Sequence, residues 1–261
     1  MNTRNDALEA FSKLLDIMDT LREECPWDRK QTLESLRPLT IEETYELSDA
    51  ILKGDLEELK KEIGDVLLHL VFYSKIGSEK GAFDITDVIT SLCEKLIFRH
   101  PHIYGDIKVT SEEEVKENWE KLKLKEGKKS VLEGVTKGAP SLIKAHRIQE
   151  KVRGIGFEFA SSEDAWKKVE EELEELHREK DLKRKEQELG DVFFSLVNYA
   201  RILGIDSDTA LESTNRKFIA RFQTMEDLAR DKNESLPELS LEEMDQYWEE
   251  AKHLLKKENE K

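Results

Sequence analysis

DLEELKKEIGDVLLHLVFYSKI, residues 55–76, decides the fold class. Its apolar residues recur at three- and four-residue spacing instead of alternating, which is the period of an amphipathic helix. A helix is therefore expected from about Asp55 to Ile76, ending near Gly77. The same period extends outward in both directions. Leu8, Phe11, Leu14, Leu15 and Met18 make a first helix, and Thr40-Ile41-Glu42-Glu43 reads as a capping box that starts a second. Asp84 opens a fourth that reaches about Arg99, and Pro101 stops it. Ser111-Glu112-Glu113-Glu114 is another capping box, opening a helix through about Leu124. Later helices are expected at about 141–153, 162–180, 181–203 and 206–230. Ser240-Leu241-Glu242-Glu243 caps a last one, through about Lys257. Strand-compatible stretches are short and isolated, so the expected fold is all-α.

The deciding stretch occurs twice. Glu62-Ile63-Gly64-Asp65-Val66 is matched by Glu188-Leu189-Gly190-Asp191-Val192, 126 positions on, with a tyrosine at the same place after each, Tyr73 and Tyr199. Upstream, Glu42-Glu43-x-x-Glu46 pairs with Glu171-Glu172-x-x-Glu175. Downstream, Lys95-Leu96-x-x-Arg99 pairs with Lys217-Phe218-x-x-Arg221, and Trp119-Glu120 with Trp248-Glu249. These matches keep one order and nearly constant offsets, which indicates a duplicated helical unit of ordinary domain size. Between the copies, 125–140 holds three glycines, a proline and four lysines without a clear period, and reads as a linker. The expected domains are 1–124 and 141–261.

Charge narrows the function classes. Asp and Glu number 58 against 42 Lys and Arg, a formal charge of −16 in 261 residues. That argues against nucleic-acid backbones and anionic membranes as partners. It leaves open a phosphorylated small molecule, because carboxylates can hold the divalent cation that travels with it. Cys25 and Cys93 are far apart and belong to no Cys/His cluster, which argues against a disulfide framework or structural zinc. The longest apolar stretch, about Val66 to Tyr73, is broken by His69 and is far short of the ~18 residues a membrane span needs. Residues 1–10 carry no apolar signal core, so a soluble cytoplasmic protein is expected.

The acidic motifs carry the chemistry. Positions i, i+3 and i+4 of a helix share a face, so Glu43 and Glu46 point one way, as do Glu62 and Asp65. Two such helices packed together crowd four carboxylates into one pocket, and a divalent cation relieves their repulsion. Mg²⁺ suits the role, being hard and oxygen-seeking. Glu172, Glu175, Glu188 and Asp191 repeat the arrangement. An EExxE motif alone is more often a solvated helix face. The ExGD motif is more specific, since Gly64 and Gly190 inside apolar helices suggest close approach of a helix or a ligand. Lys217 and Arg221, four apart, suit phosphate oxygens, with Asn198 and Asn215 nearby; surface ion pairing is the plainer alternative. Trp248 suits either base stacking or a core. His69, His100 and His102 show no metal-ligand spacing and are taken as structural or as caps.

Taken together, these residues resemble the MazG family of tandem-domain nucleoside triphosphate pyrophosphohydrolases. The first half shows Cys25-Pro26-Trp27-Asp28, Thr40-Ile41-Glu42-Glu43-Thr44-Tyr45-Glu46, Glu62-Ile63-Gly64-Asp65 and Arg99-His100-Pro101-His102. The second shows Lys168-Val169-Glu170-Glu171-Glu172, Glu188-Leu189-Gly190-Asp191 and Asn215-x-Lys217-Phe218-x-x-Arg221-Phe222. The resemblance implies intertwined helices working as a homodimer. It also implies Mg²⁺-dependent hydrolysis of nucleoside triphosphates to monophosphate and pyrophosphate, with broad base tolerance and a nucleotide-pool housecleaning role; Mn²⁺ is an alternative ion. Carried onto the second half, Glu172, Glu175, Glu188 and Asp191 hold the metal, Lys168, Lys217 and Arg221 the triphosphate, and Trp248 the base. The first half matches with Glu43, Glu46, Glu62 and Asp65 beside Lys95, Arg99 and Trp119. Leu39 replaces Lys168 there and Cys93 replaces Asn215, so the second half is expected to be the main active site. One of Glu171, Glu172 or Glu175 is expected to take the attacking water's proton. The rival expectations are a non-catalytic nucleotide-sensing helical scaffold and a simple chelator of divalent ions.

Overall fold

Helix caps draw most of the architecture. The computed structural model describes residues 2–107, 111, 114–115 and 130–259. Among the described residues there are ten α-helices and no strand, so the all-α expectation holds. They fall into two compact units, Met1–Lys108 and Val109–Lys261. Trp119, most of the expected helix over 111–124 and the start of the expected linker lie outside the described residues.

In the first unit α1 spans Arg4–Glu24, α2 Leu33–Lys53, α3 Leu56–Glu79, α4 Ile85–Arg99 and α5 Pro101–Tyr104. Asp55 and Asp84 cap α3 and α4 by accepting backbone N–H bonds, as their positions ahead of apolar runs suggest. Gly54, at φ 69°, turns α2 into α3, a left-handed conformation that favours glycine. Met18, Leu36, Val71, Phe72 and Ile76 form the core where α1, α2 and α3 meet. Arg22, 10% exposed, fastens the end of α1 to the end of α3 through two bonds to Glu79, at 2.9 and 2.5 Å, and also donates to the Asp28 carbonyl.

Two local expectations are corrected. Thr40 does not start α2. Thr32 does, through a reciprocal box in which Ser35 N donates to Thr32 Oγ1 at 3.2 Å and Thr32 N donates to Ser35 Oγ at 2.9 Å. That box lies eight positions upstream, and Pro38 is tolerated inside the helix it opens. By contrast, α3 ends near Gly77 as expected, at Glu79; a Cβ at Gly77 would lie 2.7 Å from the Phe83 ring, so this glycine allows a close approach. Finally, close helix approach is not what Gly64 and Gly190 provide, because a Cβ at either would meet no atom within 4 Å.

In the second unit α6 spans Ser141–Arg153, α7 Ser162–Arg178, α8 Leu182–Ile202, α9 Ser207–Asp231 and α10 Leu241–Asn259. Ser161, Asp181 and Asp206 cap α7, α8 and α9, and Ser240 exchanges the expected bonds with Glu243. α7 packs along α8 as α2 packs along α3, burying Ala165 and Val169 on one helix and Val192 and Val197 on the other. Met225, Ala229, Tyr247 and Ala251 form the α9–α10 core. Each unit is thus built on a helical hairpin whose second helix is opened by an aspartate.

Candidate active site

The hairpins place the acidic motifs face to face. In the first, α2 contributes Glu43 and α3 contributes Glu62 and Asp65; each offers a carboxylate oxygen, and these oxygens lie within 4.8 Å of one another. Glu62 is 6% exposed, and its Oε2 is buried without a hydrogen-bond partner. A buried carboxylate oxygen with no donor is costly to maintain. Burial pushes the Glu43 carboxyl above its ordinary value, Asp65 and Glu46 add to the shift, and His69 opposes it. Glu62 is likewise raised, first by burial, then by Glu58 and Glu46. Glu46 lies outside the trio but acts on both of its neighbours.

The second hairpin repeats the trio. Glu172 from α7 and Glu188 and Asp191 from α8 also offer oxygens within 4.8 Å of one another. Glu188 is raised by burial first, then by Glu175 and Asp191. Glu175 and Glu188 share an open hollow of about 400 Å³ with Arg178, Glu179 and Lys180. The difference lies at Lys168, whose ammonium sits 2.7 Å from Glu172 Oε1 and 3.0 Å from Glu171 Oε1. Those two acids hold its proton above the usual lysine range. In the first hairpin Leu39 occupies the matching position.

The basic expectations converge elsewhere in the second unit. Arg221 lies over the Trp248 ring at 5.9 Å, and the Phe218 ring is 5.1 Å from the same indole. Lys217 and Arg221 line a cavity of about 740 Å³ between α9 and α10 together with Lys252, His253 and Lys256. Sequence reasoning missed those last three, although Lys252 and Lys256 follow Trp248 at four-residue steps. Among the described residues, no hydrogen bond or ion pair joins Lys217 or Arg221 to the acidic trio. Asn198 accepts a bond from Arg201 at 2.8 Å, part of a clasp that also holds Glu158. Asn215 donates to Glu212 at 3.3 Å. Lys95 is exposed and Arg99 half-buried on α4, which packs against α3. His100 closes α4 by donating from Nδ1 to the Leu96 carbonyl at 2.6 Å, a structural role as expected.

Three carboxylates converging from two helices, with an orphaned buried oxygen among them, fit a hard divalent cation bound through oxygen. Comparison with known proteins agrees with this chemistry. The MazG nucleotide pyrophosphohydrolase domain matches residues 31–104 and again 161–225, which spans both acidic hairpins. A nucleoside triphosphate pyrophosphohydrolase/pyrophosphatase MazG of Thermotoga maritima is 46% identical over 93% of this chain and 95% of its own. A nucleoside triphosphate pyrophosphohydrolase of Escherichia coli K12 is 35% identical over 94% of this chain and 98% of its own. A crystal structure of a mazG-related protein from Thermotoga maritima aligns at 29% identity and a TM-score of 0.39, over 43% of this chain and 98% of that one.

Proposed function

Because this chain belongs to the MazG nucleotide pyrophosphohydrolase family, we propose a division of labour among its residues for the family's reaction. It hydrolyses nucleoside triphosphates to the monophosphate and pyrophosphate. The observation that carries the assignment is the duplicated carboxylate trio, with Glu62 Oε2 buried and unpartnered in one copy. Glu43, Glu62 and Asp65, with Glu46 beside them, hold one divalent cation, and Glu172, Glu188 and Asp191, with Glu175, hold another. Mg²⁺ is the proposed ion, with Mn²⁺ as a substitute. When bound it supplies positive charge to the triphosphate and to the departing pyrophosphate.

The remaining steps belong to the chain. Water attacks the α-phosphorus; a new P–O bond forms there, and the bridging bond to the β-phosphate breaks. One of Glu171, Glu172 and Glu175 accepts the water's proton. Glu175, outside the trio and lining the open hollow beside Glu188, has the access that role needs. Lys168, Lys217 and Arg221 hold phosphate oxygens, and Arg221 also braces Trp248, against which the base stacks. Asn198 and Asn215 complete the proposed substrate contacts, and Lys95, Arg99 and Trp119 are their first-half counterparts. The domains run 1–124 and 141–261.

A homodimer is proposed as the working form. Val88, Ile89, Leu92 and Leu96 on α4 are all exposed and share one helix face by their spacing, an apolar face of the kind that partners cover. Broad base tolerance and a cytoplasmic housecleaning role complete the reading, with no nucleic-acid or membrane partner. No described helix is long and apolar enough to cross a membrane. The experiment is to incubate the protein with each nucleoside triphosphate and Mg²⁺ and to identify the products. Monophosphate plus pyrophosphate is expected. Diphosphate plus phosphate contradicts the reaction, and nucleotide binding without product supports the scaffold instead.

A further inference from the structure

Thr40 stands one helical turn before Glu43 on α2, and His69 stands one turn after Asp65 on α3. Their side chains meet between the helices. Thr40 Oγ1 lies 3.0 Å from the Leu36 carbonyl, 2.7 Å from His69 Nδ1 and 2.6 Å from the Tyr73 hydroxyl. A hydroxyl has one hydrogen, and a carbonyl can only accept. Thr40 therefore donates to Leu36, and His69 Nδ1–H and Tyr73 O–H both donate to Thr40. That accounting assigns the His69 proton to Nδ1. His69 is only 7% exposed, and its ring stands edge-on to Tyr73 with centroids 6.5 Å apart.

The three bonds are part-buried, with His69 buried and Thr40 and Tyr73 half-buried. Such a network favours one arrangement of the elements it joins, because a slip breaks several bonds at once. Here the elements joined are the two that carry the first trio. The second hairpin is built differently: fully buried Val169 stands where Thr40 does, Ser195 where His69 does, and the Tyr199 ring packs against Trp166 at 5.0 Å. Its Glu172 is held by Lys168, for which the first hairpin has only Leu39.

We propose that Thr40, His69 and Tyr73 are positioning residues for the first acidic trio: the shared hydroxyl sets the rotation and spacing of α2 and α3 at which Glu43, Glu62 and Asp65 reach one divalent cation. The node acts through the carboxylates. The inference rests on the reading of that trio as a metal site.

The test is Mn²⁺ binding by the full chain carrying Glu188→Gln and Asp191→Asn, followed through the electron paramagnetic resonance of free Mn²⁺; these changes leave the first trio as the site measured. The parent binds Mn²⁺ saturably at the first trio. Thr40→Val, which keeps the shape and removes the hydroxyl, weakens binding about tenfold, and Thr40→Ser, which keeps the hydroxyl and loses a methyl, restores it to within about twofold. A packing role reverses that order. Tyr73→Phe removes one donor and gives an intermediate loss of about threefold. Melting in chelator reports the fold of each variant; should Thr40→Val fail to fold, Tyr73→Phe and Thr40→Ser carry the comparison. Parent-like Mn²⁺ affinity in folded Thr40→Val or in Tyr73→Phe overturns the inference. A parent that binds no Mn²⁺ removes the metal reading itself, and the inference with it.

Discussion

The α2–α3 and α7–α8 hairpins carry the same trio on the same helical framework, yet they compensate its charge in different ways. In the second, Lys168 neutralises Glu172 from within the chain. In the first, Leu39 supplies nothing, Glu43 and Glu62 hold their protons more tightly than usual, and Glu62 Oε2 is left unpartnered. The contrast separates two tasks that a carboxylate cluster performs. In the proposed reading, crowding the acids prepares a cation site in both copies, and the lysine beside the second is assigned the further task of offering a positive group to the triphosphate. One geometry therefore does not imply equal activity in both halves.

The largest expected effect breaks the comparison by removing one cluster at a time. Asp191→Ala should lower pyrophosphate release by roughly a thousandfold at the second site, several kcal/mol of lost charge stabilisation, and so remove most of the total rate. Asp65→Ala should remove a minority of it. Steady-state rates of the two variants, with melting curves to confirm the fold, check this; equal losses, or a larger loss from Asp65→Ala, would place the main activity in the first hairpin.

A smaller effect sharpens the contrast at Lys168. Lys168→Leu copies the first hairpin and removes a built-in competitor for the cation, so Mn²⁺ affinity at the second trio should rise by about tenfold while triphosphate affinity falls. Titration of Mn²⁺ and of a non-hydrolysable triphosphate reads both changes, and an unchanged pair of affinities would remove Lys168 from either role.

Protonation gives a third contrast. Glu43, Glu62 and Glu188 hold their protons above the ordinary carboxylate range. A group raised in this way binds its proton more tightly in the folded state, so these acids favour the metal-free fold on mild acidification and lose that contribution as pH rises through their folded values. A cation requires the ionised forms. Added Mg²⁺ should therefore raise the melting temperature more near neutral pH than near about pH 5. Equal shifts at the two pH values would detach the raised acids from cation binding.

The smallest effects concern the glycines. Gly190→Ala should stabilise α8 by about 0.5–1 kcal/mol, because the site is open. Gly77→Ala should destabilise the first unit by about 1–3 kcal/mol through its clash with Phe83. Thermal melting checks both signs. A loss of nucleotide affinity in folded Gly190→Ala would show that ligand approach is what the glycine serves.

Local signals in the sequence carried the helices and the acidic pairs. Asp84 before an apolar run and the Ser240–Glu243 box act within a few residues of themselves, and the i, i+3 spacing places two acids on one face wherever the helix packs. Thr40 resembles a cap because Glu43 follows it at the capping-box spacing, whereas the true cap, Thr32, is closed by Ser35. The partners Thr40 does have, His69 and Tyr73, lie 29 and 33 positions away, where no local pattern shows them. The α9–α10 cavity is half legible: the spacing of Lys217 and Arg221 marks them as a pair, while Lys252 and Lys256 are not distinguished from the many other lysines of a strongly charged chain. Gly64 stands out in the sequence because glycine is rare inside helices, yet only packing distinguishes an open glycine from a crowded one such as Gly77.

The most direct test is anomalous diffraction from crystals of the full chain grown with Mn²⁺ and a non-hydrolysable nucleoside triphosphate. The account predicts a peak among Glu43, Glu62 and Asp65 and another among Glu172, Glu188 and Asp191, each within about 2–2.5 Å of carboxylate oxygen. Bound nucleotide with no anomalous peak at either trio would contradict it.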